Sequence, residues 1–215
     1  MKNKLNKQVN KEYDIRNLGQ LFKLNNYLSF DKDVLDKYGI FYAKDYNRIA
    51  FTIKDEKGVV IGASLRRVDE NENIKWLHRP KSILTGHVLY NLYNIAECDT
   101  CYLVEGIKDA LKLVQLGVNN VVATFGTNIT QEQISLLSRF FNLVVVYDND
   151  NGGKKGTLKA ISSLRSIFNL YIIDLADIGV NDPYEIDSLD TFDGLKRYKP
   201  YQYLEKYNLD FKDLK

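Results

Sequence analysis

The stretch that most constrains this chain runs from Cys101 to Gly153. It opens on Cys101-Tyr-Leu-Val-Glu105-Gly106 and closes on Leu143-Val-Val-Val-Tyr-Asp148-Asn-Asp150-Asn-Gly-Gly153. Both are apolar runs that stop on carboxylate and glycine. Short β-branched and aromatic runs without polar alternation read as interior strands of a parallel sheet, because helices cover such strands on both faces. Between them, Ala110, Leu111, Val114 and Leu116 recur at helical spacing, and Gly117 is a stop signal, so the sequence predicts a helix over Ile107–Gly117. A further strand follows over Asn120–Gly126. A second helix is expected from about Thr130 to Phe141, with Gln133 placed to complete a capping box. The order is strand, helix, strand, helix, strand. In open parallel sheets the ligand crevice lies at the carboxyl ends of the strands, which is where Glu105, Asp148 and Asp150 fall.

Like charges on one rim repel and raise each other's pKa unless a cation sits among them. A hard divalent ion solves that problem, and Mg²⁺ is held through one or two carboxylates while keeping waters for substrate phosphates. Any one of these acids, taken singly, reads better as a solvated strand end or a helix N-terminal charge than as a metal ligand. A Glu-Gly and an Asp-x-Asp with glycines behind it, both ending β-rich runs, favour metal-assisted phosphoryl chemistry.

Behind the Asp-x-Asp, Asn151-Gly-Gly-Lys154-Lys-Gly156 reads as a glycine-rich loop leading into a helix over Thr157–Phe168. Glycines let backbone amides approach an oxyanion, and Lys154 is the candidate phosphate contact there. The spacing is not that of a Walker-type phosphate loop. Another parallel strand is expected over Asn169–Leu175, followed by Asn181-Asp182-Pro183-Tyr184-Glu185.

Elsewhere composition sets bounds. The 215 residues, 45% of them hydrophobic, suffice for one large or two small domains. Net charge is only +2, so bulk electrostatics do not announce a nucleic-acid binder. Lys2, Lys4, Lys7 and Lys11 form a basic, Asn-rich start that reads as a flexible tail over 1–12. No run of eighteen apolar residues and no apolar leader segment is present, so the expectation is a cytoplasmic protein without a membrane partner, in the host cytoplasm if it is phage-encoded. Cys98 and Cys101 make a lone Cys-x-x-Cys with no second pair, and only His78 and His87 lie near. A structural zinc needs four ligands, so no zinc is expected.

The N-terminal half changes character. From Glu12 to Tyr42 the pattern is helical with interruptions, including Leu18, Leu21 and Phe22, and a short helix capped by Ser29 and ended by Gly39. Arg48–Lys54 and Val59–Arg67 flank the turn-like Asp55-Glu-Lys-Gly58 and read as a β-hairpin. Lys75-Trp-Leu-His-Arg-Pro-Lys81 adds basic residues next to an aromatic. At the other end, Tyr198, Tyr201, Tyr203, Leu204 and Tyr207 among lysines suit a small helix packing on the core. The division expected is a mixed α+β basic subdomain over 13–96, an α/β domain over 97–187 and a helical tail over 188–215.

Glu105-Gly-Ile-Lys-Asp109, Asp148-Asn-Asp150 and Asn181-Asp182-Pro183 resemble the signatures of the Toprim domain shared by bacterial-type DNA primases and type IA and II topoisomerases. Upstream, Asn47-Arg48-Ile49 with Phe51, Val60-Ile-Gly62 with Arg66, Lys75-Trp-Leu with Pro80, and Leu89-Tyr-Asn-Leu92 follow the order of the primase family's basic subdomain. The resemblance spans about Phe30 to Ile186. It implies an α/β Toprim domain, a parallel sheet flanked by helices, preceded by the mixed basic subdomain. It adds Asp109 and Asp182 to Glu105, Asp148 and Asp150 as ligands of Mg²⁺ or Mn²⁺. It implies that Arg48, Arg66 and Lys75 line the groove for the template strand and the incoming ribonucleoside triphosphate, where Arg offers a planar fork and Lys a point charge. Arg67 and Lys81 join that set, with solvated strand-edge charge as the alternative.

The chain also departs from the family pattern. Leu84-Thr85-Gly86-His87 stands where a His-Lys pair usually precedes the glycine. Tyr184 stands where the third signature usually has a second acid, with Glu185 one place later as its substitute. The family's usual zinc module and helicase-tethering bundle are not recognised. The resemblance thus implies a primase-type catalytic core that joins ribonucleotides on single-stranded DNA. A separate replication protein, a helicase or a zinc-module template-recognition chain, is the expected partner. A Toprim nuclease, using the same acids to activate water, and a catalytically weak nucleic-acid-binding adaptor are the alternatives.

Overall fold

The structure is a computed structural model and describes residues 29–214. The basic start (Lys2, Lys4, Lys7, Lys11) and the helical reading over Leu18, Leu21 and Phe22 lie outside the described residues. The chain divides into two compact units, Met1–Leu84 and Thr85–Lys215.

In the first unit a short helix, α1 (Lys32–Lys37), precedes four strands: β1 (Ile40–Ala43), β2 (Arg48–Lys54), β3 (Val60–Arg67) and β4 (Trp76–Arg79). All pair antiparallel in the order β1-β2-β3-β4. The cap of α1 is Asp31 and not Ser29, and the helix stops as expected at Gly39, whose φ of +60° suits a residue without a Cβ. The helical reading that extended to Tyr42 therefore fails at its end. Past Gly39 the chain turns extended, and Ile40–Ala43 pairs with Phe51–Arg48 of β2, a partner local periodicity does not reveal. The hairpin turn is held by Asp55, whose Oδ1 accepts from the amides of Lys57 (3.0 Å) and Val59 (2.9 Å). Phe30, Leu35, Ile49, Phe51, Ile53 and Leu65 form the buried side of this unit, each such side chain contributing about 1.5–3 kcal/mol of apolar burial.

In the second unit the sheet contains β5 (Thr100–Val104), β6 (Val121–Ala123), β7 (Asn142–Val145), β8 (Asn169–Ile173) and β9 (Arg197–Tyr198). Their spatial order is β6-β5-β7-β8-β9, with every pair parallel except β8 and β9. The connecting helices are α2 (Ile107–Gln115), α3 (Gln131–Leu137) and α4 (Asn151–Leu164). One face of α2 buries Ile107, Ala110, Leu111 and Val114, and the helix ends at Gly117, with φ of +106°. The capping box at Thr130 and Gln133 is present, although α3 stops at Leu137, before Phe140 and Phe141.

Residues 85–96, expected with the first domain, pack in this second unit. Tyr90 exchanges backbone hydrogen bonds with Ala123 at 3.0 and 3.2 Å, and Leu89, Leu92 and Ile95 enter the core. Residues 188–215, expected as a tail, contribute α5 (Leu189–Asp193), β9 and α6 (Pro200–Lys206) to the same unit. Tyr203 and Leu204 are buried there, and Lys206 ties α6 to the end of β8 through Asp174 and Asp177, both at 2.5 Å. Cys101 lies fully buried in the core and Cys98 is half-buried; both are free thiols. Among the described residues no helix is long and apolar enough to cross a membrane.

Candidate metal and nucleotide site

The strand order places the site. From β5 the chain crosses to β6 on one side and then returns past β5 to β7 on the other, so the carboxyl ends of β5 and β7 flank the point where the winding reverses. A crevice opens at such a point. Glu105 directly follows β5, and Asp148 follows β7 after Val146 and Tyr147. The amide of Asp148 donates to Glu105 Oε1 at 3.3 Å. On the other side of Glu105, its carbonyl accepts from the Gly126 amide at 3.0 Å, in the loop after β6.

Asp109 comes from the first turn of α2, and its carboxylate folds back over Gly106. A Cβ placed on Gly106 would lie 2.5 Å from Asp109 Oδ2, so a larger residue there would displace that carboxylate. Asp182 heads the 3-10 turn Pro183–Glu185. Asn149, between the two acids of the Asp-x-Asp, joins this turn to the strand end: its amide donates to the Asn181 carbonyl at 2.7 Å and its side chain to the Val180 carbonyl at 3.3 Å. Sequence reasoning passed over Asn149. The only available signal was its place between two acids, and its partner lies more than thirty residues away.

Asp150 points differently. It is exposed and caps α4, its Oδ1 accepting from the Gly153 amide at 2.7 Å. The glycine-rich segment expected as a loop is therefore the first two turns of α4, which starts at Asn151 and not at Thr157. Close packing explains the glycines. A Cβ on Gly153 would overlap the Asp148 backbone, and one on Gly156 would crowd Thr127 and Tyr147. Lys154 sits half-buried on this first turn, its Nζ 5.6 Å from the Tyr207 ring centroid. Glu185 is turned to its own loop, Oε2 accepting from the Asn181 amide at 2.7 Å.

Electrostatics set this cluster apart. Burial pushes the Glu105 carboxyl up from its ordinary value to about 7, with Asp148 and Asp150 adding repulsion against the opposing effect of the Asp148 amide. Burial also pushes Asp109 up to about 8, helped by Asp148 and Asp182 and opposed by Lys108. Five acids are thus linked: Asp148 and Asp150 act on Glu105, and Asp148, Asp182 and Glu105 act on Asp109.

An all-oxygen donor set of this kind suits Mg²⁺ or Mn²⁺. Asp182 Oδ1 is buried with no hydrogen-bond partner, an acceptor atom that a cation would satisfy. Among the described residues no group of three or more His, Cys, Asp or Glu side chains is arranged to hold a metal ion together. An ion that keeps several waters needs only one or two carboxylates directly.

The basic residues expected to contact nucleotide or template lie in the first unit, apart from Lys154. Arg48 is 4% exposed. Its guanidinium pairs with Glu72 and donates to the carbonyls of Leu65 (3.3 Å), Ile74 (2.9 Å) and Lys75 (3.4 Å). This geometry makes Arg48 the buried pin of the 68–75 loop. Arg67 donates to the Glu72 carbonyl in the same loop. Arg66 is half-buried with its guanidinium carbon 5.3 Å from the Trp76 ring centroid, while Lys75 and Lys81 are exposed. His87, weighed as a stand-in for a phosphate-contacting lysine, is exposed on the turn Thr85–His87.

Residues 102–186 match a family model described as Toprim-like. The chain is 37% identical over 153 residues to the DNA primase of Clostridium acetobutylicum, covering 67% of this chain and 25% of that protein. It is 38% identical over 135 residues to the DNA primase of Aquifex aeolicus, covering 60% of this chain and 27% of that protein. The chain thus spans about a quarter of the length of these curated relatives. Among solved structures, the E. coli primase catalytic core superposes with a TM-score of 0.73 at 22% identity, over 90% of this chain and 78% of that one. A primase catalytic domain bound to single-stranded DNA superposes with a TM-score of 0.70 at 20% identity, over 91% of this chain and 77% of that one.

Proposed function

Because this chain carries a Toprim-like domain within the fold of a DNA primase catalytic core, we propose that it is a primase-type nucleotidyltransferase that makes short RNA primers on single-stranded DNA. The observation that carries this reading is the junction of Glu105 and Asp148 at the adjacent ends of β5 and β7, with Asp109 and Asp182 coupled to them. Glu105, Asp109, Asp148 and Asp182 would hold the divalent ion, Mg²⁺ or Mn²⁺. When bound, such an ion lowers the charge on a triphosphate and stabilises the entering and leaving oxygens of an in-line displacement.

The chain's own groups account for the rest. Glu105 is the alternative base: where it stands off the ion, it accepts the proton of a primer hydroxyl as that oxygen attacks the α-phosphorus and pyrophosphate departs. Asp148 holds Glu105 in place through its amide. Asp150 serves as the cap that fixes the turn after β7, and Lys154 on the first turn of α4 is the candidate cation for a phosphate there. Lys75, exposed next to the Arg66–Trp76 stack, and Lys81, exposed past the far end of β4, are the contacts of the first unit for template phosphates. Arg48 supports them by holding the loop that carries Lys75. Single-stranded DNA and ribonucleoside triphosphates are then the ligands, a separate helicase or template-recognition chain the partner, and the cytoplasm the compartment.

The test is primer synthesis from labelled ribonucleotides on mixed-sequence single-stranded DNA with Mn²⁺ or Mg²⁺, beside Asp148→Ala. Short RNA products that disappear in the variant support the proposal. Asp148-dependent loss of template in place of products assigns the site to a nuclease. Retained DNA binding without either reaction, even with a partner helicase added, assigns it to an adaptor.

A further inference from the structure

Lys108, the second residue of α2, places its Nζ 4.0 Å from the centroid of the Tyr184 ring. At that distance an ammonium is held electrostatically by the face of the ring. Both residues are half-buried, and in the chain they neighbour two acids of the cluster: Lys108 directly precedes Asp109 and Tyr184 sits two places after Asp182. The lysine charge reaches the cluster. Of the groups acting on Asp109, Lys108 favours the ionised carboxylate, whereas Asp148, Asp182 and Glu105 oppose it.

Tyr184 also occupies the place where the sequence pattern leads one to expect a second acid in the third signature. The neighbouring carboxylate does not compensate, since Glu185 is committed to the Asn181 amide. Where a further negative charge would help hold a second ion, this chain presents a ring that holds a positive one. The exchange is one of charge sign at a single rim position.

We propose that the Lys108–Tyr184 pair is a built-in cation that takes the place of a second divalent ion, so that this site takes up one ion only. The inference rests on the metal-binding reading above. Three consequences follow from charge alone. Removing the ammonium strengthens binding of the first ion, by about fivefold or more, since even at water's dielectric a unit charge about 8 Å from a divalent ion opposes it by about 1 kcal/mol. Replacing the ring by an acid while removing the lysine creates room and charge for a second ion. Keeping both the cation and a ring face, as in Lys108→Arg or Tyr184→Phe, leaves uptake unchanged.

The experiment is Mn²⁺ titration of the full chain, read by calorimetry and by the electron paramagnetic resonance of free Mn²⁺, with no nucleotide or DNA present. Melting curves in EDTA establish that each variant is folded. The expected result is one Asp148-dependent ion in the parent chain, tighter binding in Lys108→Met, parent-like behaviour in Tyr184→Phe, and a second ion in Lys108→Met/Tyr184→Asp. Two Asp148-dependent ions in the parent chain, or an affinity that Lys108→Met leaves unchanged or weakens, overturns the proposal while leaving the metal site standing. Uptake that is absent, or indifferent to Asp148→Ala, overturns the metal-binding reading itself and this inference with it.

Discussion

The amide of Asp148 donates to Glu105 Oε1 at 3.3 Å, tying the end of β7 to the end of β5. This bond brings two acids from positions far apart in sequence to one rim, yet it satisfies only one oxygen of Glu105. Burial and the charges of Asp148 and Asp150 still hold its carboxyl above the ordinary range, and that imbalance has measurable consequences.

Asp148→Asn should relieve repulsion in the metal-free protein and abolish stabilisation by the ion. In EDTA the variant should melt at or slightly above the parent. With Mg²⁺ at a hundredfold excess over Kd the parent should gain about 2.7 kcal/mol, and the variant little. Thermal melts with and without Mg²⁺ check both halves. An equal Mg²⁺ gain in the two proteins would remove Asp148 from the site.

The pH dependence has a definite sign. Glu105 and Asp109 have folded-state values raised to about 7 and about 8 from ordinary values of 4.5 and 3.8. A carboxyl raised by folding contributes stability that is present below its unfolded value and lost as pH rises through its folded value. Metal-free stability should therefore fall between about pH 4 and pH 8 on account of these groups. Saturating Mg²⁺, which favours the ionised forms, should flatten the fall, and Mg²⁺ affinity should rise from pH 6 to pH 8. Urea unfolding across that range, with EDTA or Mg²⁺, is the measurement; a metal-free profile unaltered by Glu105→Gln would count against the assignment.

Gln133 is fully buried, and its side-chain amide donates to the carbonyls of Val88 (2.9 Å) and Thr124 (3.0 Å). It fastens the 85–96 segment to the loop after β6. Gln133→Leu should cost about 2–4 kcal/mol, because two buried carbonyls lose their donor. Chemical denaturation reads the cost. A loss below about 1 kcal/mol would mean that water replaces the amide.

Arg48→Met should destabilise the first unit by about 2–4 kcal/mol through the loss of its charge-assisted bonds to the 68–75 loop. Glu72, at 33% exposure, can recover water, which moderates the loss. Limited proteolysis should cut the loop faster in the variant. Weaker DNA binding with unchanged stability and unchanged cleavage would instead place Arg48 in direct contact with the template.

Much of the second unit was legible in the chain itself. Apolar runs at Cys101–Val104, Leu143–Val145 and Leu170–Ile173, the stop at Gly117 and the capping box at Thr130 are local signals, and each marks an element that forms. Glu105 and Asp148 were readable because a strand that ends in acid delivers that acid to the carboxyl edge of a parallel sheet. The strand Ile40–Ala43 and the early start of α4 were not. One depends on pairing with β2 and the other on glycines needed for close packing against Asp148, Thr127 and Tyr147.

The sequence by itself determined which elements form and which residue types end them, because periodicity, caps and breakers act within a few residues. Only the tertiary structure decided what each charged side chain does. Arg48 became a buried pin, Asp150 a helix cap, Glu185 a partner of its own turn, and Lys108 a cation on the Tyr184 ring. The physical reason is that desolvation and hydrogen-bond satisfaction depend on neighbours brought from distant parts of the chain. The same residue type is a ligand, a cap or a strut according to what surrounds it.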